Sequence, residues 1–318
     1  MILSVFRRKW FGAIFASGAV VALVGTFYWS YFLWRPVGRG PCGPIVDHGF
    51  FEASWTERSV FLVGIGDSIT AGFGVRREDH SFFNRLIRNP DDEYTGMNGI
   101  CLSRVIRSLK AENLAISGST SRVHLAVIEE QLPQQNHNVF GLVLITTGGN
   151  DLIHNYGRSS PEECAMYGAT LSQAEPWISA FRSRLNEMVK KIEQRFPGGC
   201  EIYLADIYDP TDSVGDKPSM FLPFWPDGLA ILAKYNAAIV ECAKSNRSVH
   251  VVPLHQTFMG HGSHCRQFWR FTYVPEDPTF WFHRNIEDPN DRGYDAIRRV
   301  FLNTILKHSV LAPSNAER

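Results

Sequence analysis

The chain has 318 residues, with 32 basic and 32 acidic side chains and hence no formal net charge at pH 7. That length fits one large α/β domain with an accessory segment, or two small domains. The even charge balance excludes the basic footprint of a nucleic-acid binder, and the 44% apolar fraction is an ordinary stock for a packed core. Neither internal repeats nor low-complexity runs stand out.

The N-terminus differs from the rest. Trp10 to Trp34 reads WFGAIFASGAVVALVGTFYWSYFLW, without a charged residue. A helix of about 20 apolar residues crosses a bilayer, so residues 10–34 are expected to be a transmembrane anchor behind a short basic tail, residues 1–9. Arg7, Arg8 and Lys9 precede the segment, and Trp10, Tyr28, Trp29, Tyr31 and Trp34 cluster at its ends. That is the pattern of a single span with positive charge inside and aromatic interface residues. It places the rest of the chain outside the cytoplasmic membrane, although Arg35 and Arg39 on the far side weaken the orientation. A cleaved signal peptide is the alternative; its apolar core is normally shorter, roughly 7–15 residues. Residues 35–58, with Pro36, Gly38, Gly40, Pro41 and Gly43, read as a linker.

An alternation of short apolar runs and helical patterns then begins and continues to about residue 308. SVFLVGIG (59–66), NLAIS (113–117), GLVLITT (141–147), EIYLADI (201–207) and VHVVPL (249–254) are expected to be buried strands. Ile178, Phe181, Leu185, Met188, Ile192 and Phe196 form one amphipathic stripe, and Leu229, Leu232, Tyr235, Ile239 and Cys242 a second. KYNAAIVECA (234–243) falls in that second helix. Ile297, Phe301, Ile305 and His308 mark a last helix, with Asp288-Pro289 as its expected start. Strands alternating with helices predict a five-stranded parallel sheet in a three-layer α/β/α sandwich, spanning residues 59–308 with a tail at 309–318. Ligands on such sheets bind at the carboxyl ends of the strands.

Two long irregular segments, 208–227 and 255–288, interrupt the alternation. Both are aromatic-rich, and they are expected to wall a cleft. Six cysteines (Cys42, Cys101, Cys164, Cys200, Cys242, Cys265) contain no CxxC pair, which argues against a zinc or redox motif. In an oxidising compartment some would pair; buried thiols are the equal alternative for Cys200 and Cys242. Asp206, Asp209, Asp212 and Asp216 crowd one loop, but their spacing is not that of an EF-hand calcium loop, and a polar turn accounts for them better.

Three strand ends carry residues suited to acyl chemistry. The first runs into GIGDSITAGFG, where Ser68 follows Asp67 in a glycine-flanked turn. A serine there is placed as a nucleophile, and its own N–H as an oxyanion donor; an ordinary helix cap by Asp67 or Ser68 is the competing reading. The second runs into NLAISGSTS with Gly118, and the third into TTGGNDLI with Asn150, whose side chain offers a neutral donor. Each alone is explained by turn chemistry. Three such turns at three successive strand ends are not.

GDSIT at Ser68, NLAISG at Gly118, GGND at Asn150 and a late PNDRGYDAI together resemble the sequence blocks of the SGNH (GDSL-type) serine esterases and lipases, over about residues 59–308. The resemblance implies a flavodoxin-like sheet and ester hydrolysis through an acyl-enzyme, without metal or other cofactor. It implies Ser68 as nucleophile, with the Ser68 N–H, the Gly118 N–H and the Asn150 side chain as oxyanion hole, acting on a small-molecule, lipid or glycan ester.

The last block departs from that pattern. Its histidine position holds Asp288 and its aspartate position Asn285, while Pro289, Asn290, Gly293 and Tyr294 align. A serine hydroxyl is a weak nucleophile without a base, and an unperturbed carboxylate is about three pK units too acidic for that work. Four readings follow. A histidine of the 255–284 loop (His261, His264, His283 or His255) supplies the base and Asp288 orients it, since a triad is defined by geometry. Asp288 acts directly, its pKa raised by a dry cleft. The DLIH of Asp151 to His154 supplies the pair, which reads as a coincidence of spacing. Or the site is degenerate and binds an acyl or glycan ligand without turnover.

Overall fold

The computed structural model describes residues 2–283 and 287–313, with side chains described from Phe15 onward. Five strands form one sheet in the order β2-β1-β3-β4-β5: β1 (Ser59–Ile65), β2 (Leu109–Asn113), β3 (Val139–Ile145), β4 (Cys200–Ala205) and β5 (Val249–Val252). Every pairing is parallel. This is the flavodoxin-like order, with the chain reversing direction across the sheet beside β1.

Alternation along each strand splits the core into two layers. Val60 and Leu62 of β1, Phe140, Leu142 and Leu144 of β3, and Tyr203 of β4 face one cluster, which the helix Asp291–His308 covers. Phe61, Val63, Ile65, Val143, Ile145, Ile202 and Leu204 face the other, covered by the helices Leu171–Arg195 and Gly228–Ser245. The first of these is closed at its N-terminus by a reciprocal Thr170–Gln173 capping box. Of its expected stripe, Ile178, Phe181, Leu185, Met188, Ile192 and Phe196 are all buried.

Some boundaries move. The second strand is the polar LKAEN, and NLAIS is the extended chain leaving it: Leu114 N–H donates to Gly64 O at 2.8 Å and Ile116 N–H to Gly66 O at 2.9 Å. An edge strand with four exposed residues has no apolar run to reveal it. The last helix starts at Asp291 rather than at Asp288-Pro289, because the Asn290 side chain caps it, accepting from Arg292 N–H and Gly293 N–H at 3.0 Å each.

Residues 35–58, expected to be a linker, are built into the domain. Cys42, Val46, Phe50 and Phe51 are buried in the first core layer. Trp55 N–H donates to Val105 O at 2.8 Å, and the Arg292 guanidinium donates to the carbonyls of Arg39 (2.8 Å), Gly40 (2.8 Å) and Pro41 (3.2 Å). The prolines and glycines mark extended chain here, not free chain. All six cysteines are thiols. Before this segment a helix runs Ile2–Tyr28 and continues as a wider turn through Leu33. Phe15–Leu33 is long and apolar enough to cross a membrane, with a mean hydropathy of 1.4 and none of it buried in the protein.

A buried charge cluster fastens the last helix to its surroundings. The carboxylate of Asp295, fully buried, accepts from Arg298 and from Arg299 Nε (3.0 Å), lies 3.7 Å from Arg85, and also accepts from Cys42 N–H at 3.3 Å. Glu93 pairs with the other side of Arg298. Removing one partner of such a cluster leaves an uncompensated buried charge. Asp295→Asn is therefore expected to cost roughly 3 kcal/mol or more of stability, read as a drop in the thermal unfolding midpoint of the detergent-solubilised chain.

Candidate active site

The three strand ends singled out above meet at one rim of the sheet. Ser68 is the first residue of the four-residue helix Ser68–Ala71, which Asp67 caps by accepting from Ile69 N–H at 3.1 Å. The first N–H groups of a helix have no intrahelical acceptor, so the Ser68 N–H is placed to meet a ligand. Asp67 is itself fixed by the Thr146 hydroxyl at 3.0 Å from the end of β3, and Thr146 in turn meets Thr70 Oγ1 at 2.8 Å. This crossing is why residue 66 is glycine: a Cβ there would stand 2.3 Å from Thr146 Oγ1.

Asn150 lies in the short helix Gly149–Ile153. Its Nδ2 donates one hydrogen to Ser119 O at 2.9 Å; an amide nitrogen carries two, so one remains for the cleft. The same bond ties Asn150 to the turn that holds Gly118, an exposed residue at φ +78 with open space where a side chain would project. Behind this rim sits His124, which reading the sequence did not single out. Its Nε2 meets Ser119 Oγ and its Nδ1 meets Thr147 Oγ1, each at 2.7 Å. Burial pushes His124 down to about 4, so the ring is neutral and serves as a brace between the second and third strand ends. Its signal, a lone histidine on an amphipathic helix, is indistinguishable in sequence from a core residue.

Ser68 and Asn150 open into a cleft whose wall is largely apolar: Leu152, Tyr156, Ile207, Met220, Leu222 and Trp225 are among its lining residues. The two aromatic-rich segments behave differently. Residues 208–225 supply much of that wall, whereas 255–283 lies outside it. The charged residues of the lining are Asp67, Asp206, Asp209, Lys217, Glu287 and Asp288. Asp288, where the family pattern has histidine, is buried in the cleft together with Ser68. Burial pushes Asp67 up to about 7, against the Ile69 and Thr146 donors and with the charge of Asp288 adding to the rise. Burial, then the charges of Asp288 and Asp67, push Glu287 up to about 7 as well. Glu287 was not among the expected site residues; its one sequence signal is that it neighbours Asp288.

Among the described residues no histidine lines the cleft. His261 is stacked on Trp281 with ring centroids 3.5 Å apart, and burial pushes it down to about 4. His264 meets Asp216 at 2.7 Å through Nε2, its own N–H donates to Asp212 at 2.8 Å, and burial lowers its pKa. His255 is half-buried behind the cleft floor, its N–H on Asp206 (2.7 Å) and its Nδ1 on Ile207 O (3.0 Å). His283 is nearest to the expected arrangement. Its N–H donates to Asp288 O at 2.7 Å, its ring packs beside Gly74 in the loop after Ser68, and its buried Nδ1 has no hydrogen-bond partner among the described residues. Asn285 lies outside the described residues. In DLIH, Asp151 is turned inward to Ser121 and Arg184 while His154 is exposed, so the spacing does not pair them.

The aspartate-rich loop is a staple. Asp212 accepts from Gly260, Gly262 and His264 N–H at 2.9, 2.8 and 2.8 Å. Asp209 meets Lys217 at 3.2 Å; burial works against its charge, but Lys217 and the Thr211 donors outweigh it and hold its pKa low. No group of three or more metal-ligating side chains is present among the described residues.

The model of the GDSL-like lipase/acylhydrolase family matches residues 65–296, well over half of the chain. The chain belongs to this family. Among solved structures, the extracellular lipase of Streptomyces rimosus is 17% identical over 79% of this chain and 100% of its own, with a TM-score of 0.50. A lipolytic G-D-S-L family member from Veillonella parvula is 12% identical over 78% and 100% (TM-score 0.48), and an acetylxylan esterase from Geobacillus stearothermophilus 16% over 79% and 94% (TM-score 0.49). At such identities the lipase likeness establishes the fold, and it agrees with the sheet order. No curated protein matches the sequence.

The brace predicts a measurable effect. His124→Ala leaves the Thr147 hydroxyl without that partner in a buried site, a cost of about 1–3 kcal/mol. It should also lower kcat more than it raises KM in ester hydrolysis, because Asn150 and Gly118 lose their fixed spacing; an unchanged kcat would remove His124 from any positioning role.

Proposed function

We propose that the chain is a membrane-anchored serine ester hydrolase acting through an acyl-enzyme, with the carboxylate pair Glu287/Asp288 as its base in place of an imidazole. The observation that carries this is the crowding of Asp67, Glu287 and Asp288 into the cleft that holds Ser68. A carboxyl whose pKa stands at about 7 is matched to general-base work at neutral pH, which an ordinary glutamate is not.

In this mechanism Ser68 Oγ attacks the ester carbonyl carbon as its proton passes to the Glu287/Asp288 pair. The carbonyl oxygen becomes an oxyanion held by the Ser68 N–H, the Gly118 N–H and the free hydrogen of Asn150 Nδ2. Collapse of the tetrahedral species breaks the ester C–O bond, and the leaving alkoxide takes the proton back from the pair. Water then attacks the acyl-Ser68 ester, giving one proton to the same pair; collapse breaks the acyl–Oγ bond, the Ser68 oxygen takes that proton back, and the carboxylic acid leaves. Glu287 and Asp288 are adjacent in the chain and line the same cleft, so the base is assigned to the pair.

A second reading has one observation in its favour. The Nδ1 of His283, without a partner among the described residues, would let that imidazole, oriented by Asp288, take the proton after a rotation toward Ser68. His261, His264 and His255 are held by the contacts described above, away from the cleft lining, although His264 Nδ1 is also without a partner among the described residues. Anchoring is supported by the exposed apolar helix and by its bonding to the domain: the Tyr31 carbonyl accepts from Gln267 Nε2 at 3.2 Å. A cleaved leader has no use for contacts with the folded domain. The placement of Arg7, Arg8 and Lys9 before the span supports a domain outside the cytoplasmic membrane.

Labelling with a fluorophosphonate tests the enzyme directly. Labelling is expected in the wild type and absent in Ser68→Ala; a well-folded wild type that takes no label would be a binding protein on an esterase scaffold. The base is read from the pH profile. Because it acts deprotonated, kcat/KM should rise with pH through about 7 and then level. Asp288→Asn removes a negative charge that raises Glu287, so it should shift that limb to lower pH and lower the plateau. Glu287→Gln should reduce the plateau by about 10²-fold or more while His283→Ala leaves it near wild type; the reverse pattern assigns the base to His283.

A further inference from the structure

We infer that the domain beds an aromatic surface, formed by residues 266–271 and by Phe221 and Phe224, into the bilayer crossed by its own helix, so that the cleft takes acyl esters of lipids from that leaflet. This rests on the anchored-hydrolase reading above and names its substrate class.

Depth is the first argument. Trp269 stacks on Phe27 (centroids 5.7 Å apart, planes 19° apart) and contacts Tyr31 at 5.3 Å and Phe32 at 6.0 Å. Phe27 lies six residues before Leu33, where the apolar stretch ends. At about 1.5 Å per helical residue, its contacts from Phe32 back to Phe27 hold the Trp269 ring between the end of the span and roughly 9 Å below it. That range overlaps the depth, about 5–10 Å, at which amphipathic segments lie in the boundary between headgroups and acyl chains. If the helix spans, this loop cannot stand clear of the membrane.

Exposure is the second. Around Trp269 (45% exposed), Phe268 is 58% and Phe271 90% exposed, although they flank buried Gln267 and Thr272. Arg266 lies over the Trp34 ring at 4.3 Å, a cation at the level where the span ends and headgroups begin.

Connection to the cleft is the third. Segment 217–225 is two-faced: Lys217, Met220, Leu222 and Trp225 line the cleft, whereas Phe221 (83% exposed) and Phe224 (67%) point away from the protein. The guanidinium of Arg35, two residues beyond the span, donates to Ser219 O, and Ser219 Oγ meets Ser263 Oγ at 3.1 Å. One wall of the cleft is thus bonded to the root of the anchor. A lipid acyl chain leaving the leaflet meets Phe221 and Phe224 and then the apolar lining beside Ser68.

Bedding is read without turnover. The full chain carrying Phe271→Cys or Phe221→Cys, labelled with an environment-sensitive nitrobenzoxadiazole, is placed in phosphatidylcholine nanodiscs, with the unsubstituted chain as labelling control. Blue-shifted emission quenched by brominated phosphatidylcholine is expected; water-like, unquenched emission overturns the proposal. Substrate class is read with Phe221→Ser/Phe224→Ser/Phe271→Ser, on a fluorogenic phosphatidylcholine in the disc and on soluble p-nitrophenyl butyrate. Hydrolysis of the disc lipid should fall about tenfold while the soluble ester is hydrolysed as before, since only access to the bilayer is lost. No loss, or equal loss on both substrates, overturns the assignment to leaflet lipids. A wild type that does not hydrolyse the soluble ester, or turnover that survives in Ser68→Ala, would instead sink the Ser68 hydrolase reading and leave the emission result standing.

Discussion

Parallel pairing on both sides of β1 is the constraint from which the rest of the site follows. Gly64 stands opposite Asn113 of β2 on one side and Leu144 of β3 on the other, so the three strands end at one level. Their carboxyl ends then deliver Ser68, the Gly118 turn and Asn150 to one rim. In-register strands leave little freedom there, and side-chain bonds across the ends remove most of what remains: Thr146 to Asp67, His124 to Ser119 and Thr147, Asn150 to Ser119. Apart from His124–Ser119, five residues apart, each bond joins segments well separated in sequence, so the rim is rigid because the sheet is. Preorganised donors of this kind stabilise a developing oxyanion without reorganising during the reaction.

The same rigidity creates the electrostatic situation. Asp67 cannot leave, since it caps the helix that carries Ser68. Asp288 enters the cleft just before the last helix, held from behind by the His283 N–H on its carbonyl. Burial first, and then the charge of Asp288, oppose ionisation of Asp67 and Glu287. Lys217 does not relieve them, because Asp209 already engages it. A histidine in the Asp288 position would have relaxed the repulsion; an aspartate there intensifies it. The aspartate at 288 thus adds to the rise of Asp67 and Glu287, which is the basicity the proposed mechanism calls on.

The legible part of the sequence was what depends on local pattern. Alternating runs gave the α/β class, and the amphipathic stripe through Ile178, Phe181 and Leu185 fell on a real helix, because burial on one face imposes that period. LKAEN escaped because an edge strand need bury little, and residues 35–58 passed for a linker because extended chain uses the same prolines and glycines whether it is packed or free. The family blocks marked Ser68 and Asn150, which share the cleft, since each sits within a few residues of its strand. Choosing among His255, His261, His264 and His283 was beyond sequence, because it depends on whether Trp281 stacks on one ring or Asp216 binds another, contacts set by the folded loop. Glu287 and His124 were invisible for the same reason: their environments are made by residues distant in the chain.

The aspartate-rich loop connects these levels. Asp212 gathers three backbone N–H groups of residues 260–264, and Ser219 is bonded to both Ser263 and Arg35. The segment that walls the cleft is thereby locked to the segment that carries Trp269, and both are locked to the end of the anchor. A domain on a free tether would sample every orientation to the bilayer. This domain is bonded to Tyr31 within the helix and to Arg35 and residues 39–41 in the chain leaving it, so on the proposed anchoring the orientation of the cleft is fixed with that of the helix.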